Sequence, residues 1–447
     1  MSYTELIRAS GSDPARLEEM YQESVRSQTD EGFVHALQAA YGEEPENLLY
    51  AAWHYRLASA AAAIAAGATA EAARRIPWLL AVALAAANGV LLWLLSDTGR
   101  FKIRLESGME VPYFLLLWGP LAGAFVLAYL ARTGALTWPW WGILAAALGV
   151  TAAYGLTAYV LVGGAAVQEQ YVILAVLQIA VIAWTCVGIG VLHGLGDSES
   201  RFAFLLKSLE IFVLGGLFLS ALIVLTMVTI GLFQALGIRL PDLAQQLLIV
   251  GGAGMIPVLA VAILYDPARP VGQQTFDGGL IRLLQMLLRL FLPVTAAVLA
   301  VYLCIVPFFF WRPFENREVL IIYNAMLFAV MALLVGVTPY TLADIGGTQQ
   351  RWLRRGIIAV AALAGIVSIY ALAAISYRTL QEGLTPNRVT FVGWNLINTG
   401  LLAYLLIKQI GKDNLSWLKA VHQTFGIGAL LYAAWSTIVM FGLPWLF

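Results

Sequence analysis

The chain has 447 residues, of which 61% are apolar and only 12% are charged, and its mean hydropathy is +0.81. Soluble globular chains carry about 25% charged residues, so this composition excludes an ordinary water-soluble protein and predicts that lipid solvates most of its surface. The formal net charge is zero. A strongly basic surface is therefore excluded, and nucleic acid is not an expected partner.

Residues 1–75 are polar and mixed in charge, and they predict a small cytoplasmic head of three helices. The first helix begins near Ser12, with Pro14 in its first turn, and the second covers 30–41. The third begins near Pro45 and runs on to about residue 67. No signal peptide is expected, so the first membrane helix should direct insertion. The head is either a simple extension or a module that docks a protein partner.

Eleven later segments are long enough to cross a bilayer, whose hydrocarbon core of about 30 Å needs about 20 apolar residues. They are 76–96, 111–131, 139–163, 171–193, 208–237, 247–265, 284–310, 319–340, 355–376, 389–408 and 418–446. These segments predict an all-α fold, a polytopic integral membrane helix bundle from residue 76 to residue 447. Pro293 predicts a kink in the seventh span, and Pro257 with the glycines of "GGAG" at 251–254 predicts a break in the sixth.

Most of the 26 Lys and Arg residues lie in the head or in loops on the same side of the membrane. The positive-inside rule therefore predicts a cytoplasmic N-terminus and an extracytoplasmic C-terminus, although "GRFKIR" at 99–104 opposes this bias locally. We expect the inner membrane of a bacterium. In the same loop, the apolar residues Phe101, Ile103 and Leu105 alternate with polar ones, which predicts a short extended segment.

Two polar groups lie near the predicted cytoplasmic ends of the fifth and seventh spans. Arg282, Gln285 and Arg289 have the spacing i, i+3, i+7, which places them on one helical face. They predict either an interfacial helix whose arginines reach lipid phosphates or a basic pocket for an anionic headgroup or phosphorylated ligand. Lys207 and Glu210 predict a local ion pair worth about a few tenths of a kcal/mol.

Motifs for catalysis or cofactor binding are missing from the sequence. Cys186 and Cys304 lie in apolar runs without metal-ligand spacing, and no nucleotide-binding, nucleophile or zinc motif occurs. The missing motifs therefore predict no cofactor and no metal, and they argue against an enzyme without excluding one. No charge falls clearly at the middle of a span, which argues against a proton pump or an ion-coupled transporter.

The segment "YRTLQEGLTPNRVTFVGWNLINTG" at 377–400 is the most polar part of the last third of the chain. Arg378 and Arg388 flank a tight turn with Glu382 between them, which predicts a buried Arg–Glu–Arg staple. Asn395 and Asn398 are i, i+3 in the tenth span, so their amides should point inward and bond a neighbouring helix. The segment either locks the last three helices together or forms a small extracytoplasmic anion site.

The stretch "AISYRTLQEGLTPNRVTFVGW" resembles a signature of a bacterial family of polytopic membrane proteins known only as a domain of unknown function, the DUF4153-like group. The residues that carry the resemblance are Tyr377, Arg378, Gly383, Thr385, Asn387 and Arg388. "FLLKSLEIFVLGGLF" at 204–218 and "FDGGLIRLLQMLLRLFLPVTAAVLAVYL" at 276–303 are similar to earlier helices of that family. The resemblance covers about residues 200–410, implies no activity and assigns no catalytic residues.

Three functions follow as hypotheses. The first is a non-catalytic scaffold, sensor or accessory subunit that binds membrane lipid or a small anion, and it predicts polar groups that satisfy one another. The second is a transporter of an amphipathic or lipid-like substrate, which predicts a midplane cavity lined by Asn395, Asn398 or Arg289. The third is a membrane enzyme acting on a lipid-linked substrate, which predicts two carboxylates, or a carboxylate and a histidine, in one pocket.

Overall fold

The computed structural model describes residues 5–7, 13–26, 30–58, 76–276, 279–342, 346–410 and 416–447. The chain divides into two compact units, Met1–Ile76 and Pro77–Phe447. The predicted continuation of the third head helix beyond residue 58 lies outside the described residues.

The described residues of the first unit form three helices of more than one turn, α1 (Pro14–Arg26), α2 (Asp30–Glu43) and α3 (48–58). Asp13 begins α1, because its Oδ1 accepts the Ala15 N–H at 3.0 Å and Pro14 needs no such partner. The buried core draws on all three helices through Leu17, Phe33, Leu37, Tyr50 and Trp53. The Tyr50 hydroxyl also donates to the Ile7 carbonyl at 3.0 Å. The unit is thus a small helical body with an aromatic core.

The second unit is an all-α bundle, and eleven of its helices are long and apolar enough to cross a membrane. The predicted number and order of the spans are confirmed. The helices are α4 (Trp78–Leu95), α5 (Tyr113–Arg132), α6 (Trp138–Thr157), α7 (Ala165–Val191), α8 (Ser198–Ala235), α9 (Asp242–Leu264), α10 (Gly279–Ile305), the short α11 (Arg312–Glu315), α12 (Arg317–Val337), α13 (Gly347–Glu382), α14 (Pro386–Gln409) and α15 (Trp417–Leu446).

A two-stranded hairpin marks one end of this bundle. Strand β1 (Lys102–Arg104) pairs antiparallel with β2 (Glu110–Pro112), which confirms the predicted extended segment. The Gly163 N–H donates to the Phe447 carbonyl at 3.2 Å, and the Glu106 N–H donates to Gln168 Oε1 at 3.2 Å. These bonds bring the hairpin, the start of α7 and the end of α15 together. We call this the hairpin end and the other side of the bundle the opposite end.

Two spans extend furthest beyond their predicted limits. Helix α8 begins at Ser198 because Asp197 Oδ1 caps it, accepting the Ser200 N–H at 3.0 Å. Helix α13 continues to Glu382. Hydropathy reports only the apolar part of a helix, so it missed these polar turns. Lys207 consequently lies in the third turn of α8, and Arg378 lies inside α13 rather than at its end.

The predicted break in the sixth span is wrong. Helix α9 is continuous, with a π-helical turn at Leu247–Gly251 and Pro257 inside it. Helix α10 likewise runs unbroken through Pro293. Local π adjustments let membrane helices satisfy backbone groups near glycine and proline. Here the glycines permit close packing instead, since a Cβ on Gly254 would lie 2.9 Å from the Gly89 Cα of α4.

Tight packing of α12, α13 and α14 positions the polar hairpin-end residues. The buried face of α13 carries small residues, and those fully buried are Ala361, Ala364, Ala371 and Ala374. Small residues let membrane helices approach closely. Ala371, Ala374 and Ile375 pack with Leu320 and Tyr323 of α12 in one buried cluster. The ends of the three helices are therefore fixed with respect to one another.

Candidate functional site

The turn between α13 and α14 sets the geometry of the polar hairpin end. Gly383 has φ +83°, a left-handed conformation that ends α13 and that glycine adopts without strain. Thr385 then caps α14, its Oγ1 accepting the Arg388 N–H at 3.4 Å, and Pro386 occupies the first helical position. Three residues therefore separate the helices, and Arg388 is held close to the last turn of α13.

Arg378, Glu382 and Arg388 form the ion triad that their spacing predicted. Arg378 Nη2 lies 3.6 Å from Glu382 Oε2, and Arg388 Nη2 donates to the same oxygen. Arg388 Nη1 also donates to the Gly383 carbonyl at 2.7 Å. The prediction that the staple is buried is wrong for its carboxylate. The Glu382 side chain is 53% exposed, against 14% for Arg378 and 19% for Arg388, because Glu382 is the last residue of α13.

A cavity of about 140 Å³ lies beside this triad, between the ends of α7, α12, α13 and α14. Its lining residues are Gln170, Leu320, Ile321, Asn324, Ile375, Arg378, Thr385, Asn387, Arg388 and Phe391. We call it the arginine pocket. Drug-sized ligands occupy pockets of about 300–1,000 Å³, so this one suits a small headgroup or ion. Among its described lining residues there is neither a carboxylate nor a histidine.

Two buried polar atoms of lining residues have no hydrogen-bond partner within the described chain. They are Arg378 Nε, a donor, and Gln170 Oε1, an acceptor. A buried polar group without a partner destabilises a protein by about 1–3 kcal/mol, and more when it belongs to a charged side chain. Both atoms are closed off by their neighbours, however, and unpartnered buried atoms also occur away from the pocket, at Gln178 and at Arg289 Nε. They therefore do not by themselves mark a ligand site.

Two charged side chains of the triad lie at helix ends whose dipole has the same sign, which destabilises the helices. Arg388 lies in the first turn of α14, near the positive end of its dipole, and Glu382 is the last residue of α13, near the negative end. Their mutual ion pair offsets this in part. Two guanidinium groups and one carboxylate still leave one net positive charge beside the N-terminus of α14. An anion at this point is attracted by both the charge and the dipole.

The amide of Asn324 forms the inner wall of the pocket, and the amide of Asn395 lies directly behind it. Asn324 of α12, a lining residue, accepts a hydrogen bond at 2.7 Å from Nδ2 of Asn395 of α14. One turn deeper, the Tyr432 hydroxyl of α15 donates to Asn398 Oδ1. Asn395 and Asn398 are both fully buried, so neither faces lipid. The pocket therefore stops at a hydrogen-bonded layer, and Asn395 and Asn398 lie behind it.

The other predicted group, Arg282, Gln285 and Arg289, lies on α10 and does not line the arginine pocket. Arg282 is exposed, whereas Gln285 and Arg289 are half-buried. Helix α10 begins at the opposite end, and Arg289 follows that start by about 15 Å of helix rise. The residues predicted to bind ligand thus separate into two regions, and Arg378 and Arg388 are the two that line the arginine pocket.

Lys207 and Glu210, at the opposite end, form a buried ion pair. Their side chains are 5% and 4% exposed, and Lys207 Nζ lies 2.7 Å from Glu210 Oε2. The same nitrogen donates to the Thr275 carbonyl at 3.0 Å and lies 5.6 Å from the Phe276 ring centre. The predicted pair exists, but its description as a weak helix-surface pair is wrong, because the loop before α10 covers it.

Two other polar side chains at the opposite end also bond loop and helix-end carbonyls. Arg201 donates to the carbonyls of Leu195, Gly196 and Gly426 at 2.7–3.1 Å. His422 stacks on Phe202 with ring centres 4.0 Å apart, and its Nε2 lies 3.2 Å from the Pro339 carbonyl. These groups tie loops to helix ends. Their geometry is that of structural contacts.

The β-hairpin carries a third charge cluster outside the spans. Glu110 accepts from Lys102 Nζ at 2.7 Å and from Arg104 Nη2 at 2.6 Å. These hydrogen bonds, the one from Lys102 first, hold the pKa of the Glu110 carboxyl below its ordinary value. The cluster is exposed to water, which screens its charges. The cluster holds strands β1 and β2 together, and its exposed side chains do not enclose a ligand site.

Two lining residues, Gln170 and Asn324, were missed in reading the sequence. Asn324 had a usable signal, since it is a lone amide in the apolar run "VLIIYNAMLFAVMALL" and such amides point inward in membrane helices. Gln170 had none, because "VQEQY" lies at a polar helix start.

Comparison of this chain with protein-family models, with curated proteins and with solved structures gives no match.

Proposed function

We propose that this multi-pass membrane protein binds an anionic, phosphate-bearing group in the arginine pocket. In this role it is a non-catalytic scaffold, sensor or accessory subunit that binds lipid or a small anion. The observation that carries the proposal is the pocket itself. Two arginines line it, and together with Glu382 they leave one net positive charge beside the N-terminus of α14.

Phosphate is the anion that suits this donor set. Guanidinium groups match phosphate oxygens geometrically and donate charge-assisted hydrogen bonds. The first turn of α14 adds the dipole that favours phosphate at helix N-termini. The described lining residues lack the acid, base or nucleophile that hydrolysis of a phosphate ester needs. Binding without chemistry is therefore the function that the geometry supports best.

The proposed location is the inner membrane of a bacterium, with the N-terminus in the cytoplasm and the C-terminus outside. In that orientation the arginine pocket opens towards the extracytoplasmic leaflet. The exposed hairpin residue Ser107 gives a test. We expect a Ser107→Cys variant in intact cells to react with a membrane-impermeant maleimide, with the unsubstituted protein as control. Labelling only after the cells are broken would contradict this orientation.

Native mass spectrometry of the full chain, extracted gently from its own membrane, tests the binding. We expect a bound phospholipid or small phosphate ester in the unsubstituted protein and its loss in Arg378→Gln. The matched control is Arg282→Gln, which removes an exposed arginine from α10, away from the pocket. Equal retention of the bound mass in Arg378→Gln and the unsubstituted protein would overturn the proposal.

The same spectra address one further proposal. A protein partner docked through residues 1–75 should appear as added mass and should be lost when those residues are deleted.

Membership of the DUF4153-like family is proposed separately, from the signature at 374–394. It would add no activity to this picture.

Transport of an amphipathic substrate is the second candidate function. One observation favours it: an apolar cavity of about 220 Å³ lies between α8, α12 and α15 and reaches Tyr432, which bonds Asn398. The predicted midplane cavity lined by Asn395, Asn398 or Arg289 is not among the described pockets. Movement of a fluorescent anionic phospholipid between the leaflets of vesicles containing the purified protein would favour transport, whereas saturable binding without movement would favour the first proposal.

A further inference from the structure

We infer that the ligand of the arginine pocket is a membrane phospholipid, one of whose acyl chains runs along α12 and ends in the apolar cavity between α8, α12 and α15. This inference rests on the proposed function, since it decides between a lipid and a free anion at the same site. Three observations carry it: both cavities lie on one face of α12, an exposed apolar stripe joins them, and their separation fits an acyl chain.

One face of α12 lines both cavities. Its first turns contribute Leu320 and Asn324 to the arginine pocket, and its last turns contribute Met331 and Val335 to the apolar cavity. These residues have the spacing i, i+4, i+11, i+15, which is close to whole turns of an α-helix. A ligand can therefore reach both cavities without crossing the helix.

Helix α7 runs beside the same path. Its Gln170 lines the arginine pocket. Its Trp184 packs with ring centres 6.1 Å from Phe212, which lines the apolar cavity. The rise from residue 170 to residue 184 is about 21 Å, and so is the rise from Ile321 to Val335 on α12. The two cavities therefore lie at matching levels of two neighbouring helices.

Between the cavities, α12 presents an apolar stripe to the lipid. Ile321, Ala325 and Ala332 are exposed, and Phe328 is half-buried. Their spacing, i, i+4, i+7, i+11, puts them on one side of the helix, and the small side chains at 325 and 332 leave room for a chain against it. No charged residue occurs in 319–337. A positively charged pocket thus continues into an apolar path, the order of polarity that a phospholipid has.

The dimensions fit one acyl chain. From Asn324, at the inner wall of the pocket, to Val335 the helix rises about 16 Å. One leaflet fills about 15 Å, half of a hydrocarbon core of about 30 Å. An apolar cavity of about 150 Å³ accepts a benzene molecule, so the cavity of about 220 Å³ has room for the last carbons of a chain. A free anion would leave this cavity unused.

The two cavities contribute differently to binding. An acyl chain that leaves the bilayer for a protein groove gains no hydrophobic free energy, because lipid tails are as apolar as the groove. It gains only dispersion contacts with the cavity walls. The arginines therefore supply the affinity for the phosphate, and the apolar cavity fixes the position of the chain. The position must be measured separately from the affinity.

Photo-crosslinking measures that position. The full chain is placed in phosphatidylcholine nanodiscs with phosphatidylglycerol that carries a diazirine on the last carbon of one chain. A second probe carries the diazirine beside the glycerol, and labelled peptides are identified by mass spectrometry. We expect the first probe to label 205–212, 331–335 and 425–432 and the second to label 320–324. Excess phosphatidylglycerol, but not excess phosphatidylcholine, should compete with both labels.

Variants link the label to the two cavities. Arg378→Gln should abolish both labels. Ala332→Phe fills the apolar cavity and should lower the label from the first probe by about 10-fold, the factor for about 1.4 kcal/mol of lost packing, while the label at 320–324 persists. The matched control is Ala221→Phe, at an exposed alanine of α8 that lines neither cavity. If Ala332→Phe does not fold, Ala429→Leu fills the cavity from α15 instead.

The outcomes distinguish this inference from the proposed function. A second-probe label at 320–324 that Arg378→Gln removes, without any first-probe label in the apolar cavity, would overturn the acyl path and leave the anion site standing. A cavity label that Arg378→Gln leaves unchanged would show that bulk lipid fills the cavity and would also overturn the path. Displacement of both probes by glycerophosphoglycerol, the deacylated headgroup, at concentrations equal to those of the lipid would contradict a lipid ligand. Labelling at 320–324 that survives Arg378→Gln would overturn the anion site itself.

Discussion

The two ends of the membrane bundle use charged residues in opposite ways. At the opposite end, Lys207 and Glu210 are more than nine-tenths buried, and Lys207 bonds both the carboxylate and a loop carbonyl. At the hairpin end, Arg378 is less buried, lies 3.6 Å from its carboxylate partner and lines a cavity. The contrast teaches that charge alone does not mark a site. A charged group enclosed by protein partners stabilises the fold, whereas one that lines a cavity remains available to a ligand.

The largest expected effect lies at the opposite end. Glu210→Gln removes the carboxylate and leaves the Lys207 ammonium buried without a counter-charge, so we expect the free energy of unfolding to fall by about 3–5 kcal/mol. The midpoint of SDS-induced unfolding measures this change. The double variant Lys207→Met/Glu210→Leu, which removes both charges, should recover most of the loss. A single variant as stable as the unsubstituted protein would contradict a structural role.

Arg388→Gln should affect both ligand binding and stability, because Arg388 lines the pocket and also bonds Glu382 and Gly383. A charge-assisted hydrogen bond is worth about 1.5–3 kcal/mol, so anionic lipid should bind about 10- to 100-fold more weakly in a nanodisc titration. The free energy of unfolding should also fall, by about 1 kcal/mol. Arg282→Gln is the control for loss of a positive charge. Unchanged lipid affinity in Arg388→Gln would argue against the pocket.

The amide pair behind the pocket should have a smaller effect. Hydrogen bonds between membrane helices average about 0.6 kcal/mol and reach about 1.7. A double-mutant cycle of Asn324→Leu and Asn395→Leu should give a coupling energy in this range, measured by SDS-induced unfolding. A coupling near zero would show that the Asn324–Asn395 bond does not hold α12 to α14.

The smallest expected effect is the pH dependence of the β-hairpin. Because the folded-state pKa of Glu110 lies below its ordinary value of 4.5, its contribution to hairpin stability is present above that ordinary pKa. The contribution is lost as the pH falls through the lower folded pKa. Proteolysis of the 97–112 loop should accelerate over that acidic range, and Glu110→Gln should abolish the dependence. Identical pH profiles for the two proteins would exclude Glu110 as the titrating group.

Hydropathy and turn chemistry predicted much of the fold, because both act locally. The eleven spans, the extended segment around Ile103 and the turn after Glu382 all follow from patterns a few residues long. Helix ends were harder to predict. Helix α8 begins three turns before its apolar part, at the cap residue Asp197, and a hydropathy average over the apolar residues cannot detect those polar turns.

The candidate site was only partly predictable. Arg378, Glu382 and Arg388 are close in sequence, so their ion triad could be expected. Their association with Gln170 and Asn324 could not, because it depends on how α7 and α12 pack against the α13–α14 turn. Equally, the sequence around Lys207 contains no sign that residues 275–276 cover it. Burial and partner completeness arise from tertiary packing, and they decide which charges stabilise the fold and which remain available to a ligand.

The most direct test compares how phosphatidylglycerol stabilises Arg378→Gln and Glu210→Gln against SDS-induced unfolding. A ligand that binds only the folded state raises stability by RT ln(1 + [L]/Kd). We expect Glu210→Gln to start from lower stability and to keep the full increment from the lipid. Arg378→Gln should start near the stability of the unsubstituted protein and lose the increment. A full lipid increment in Arg378→Gln would contradict the assignment of the arginine pocket as the anion site.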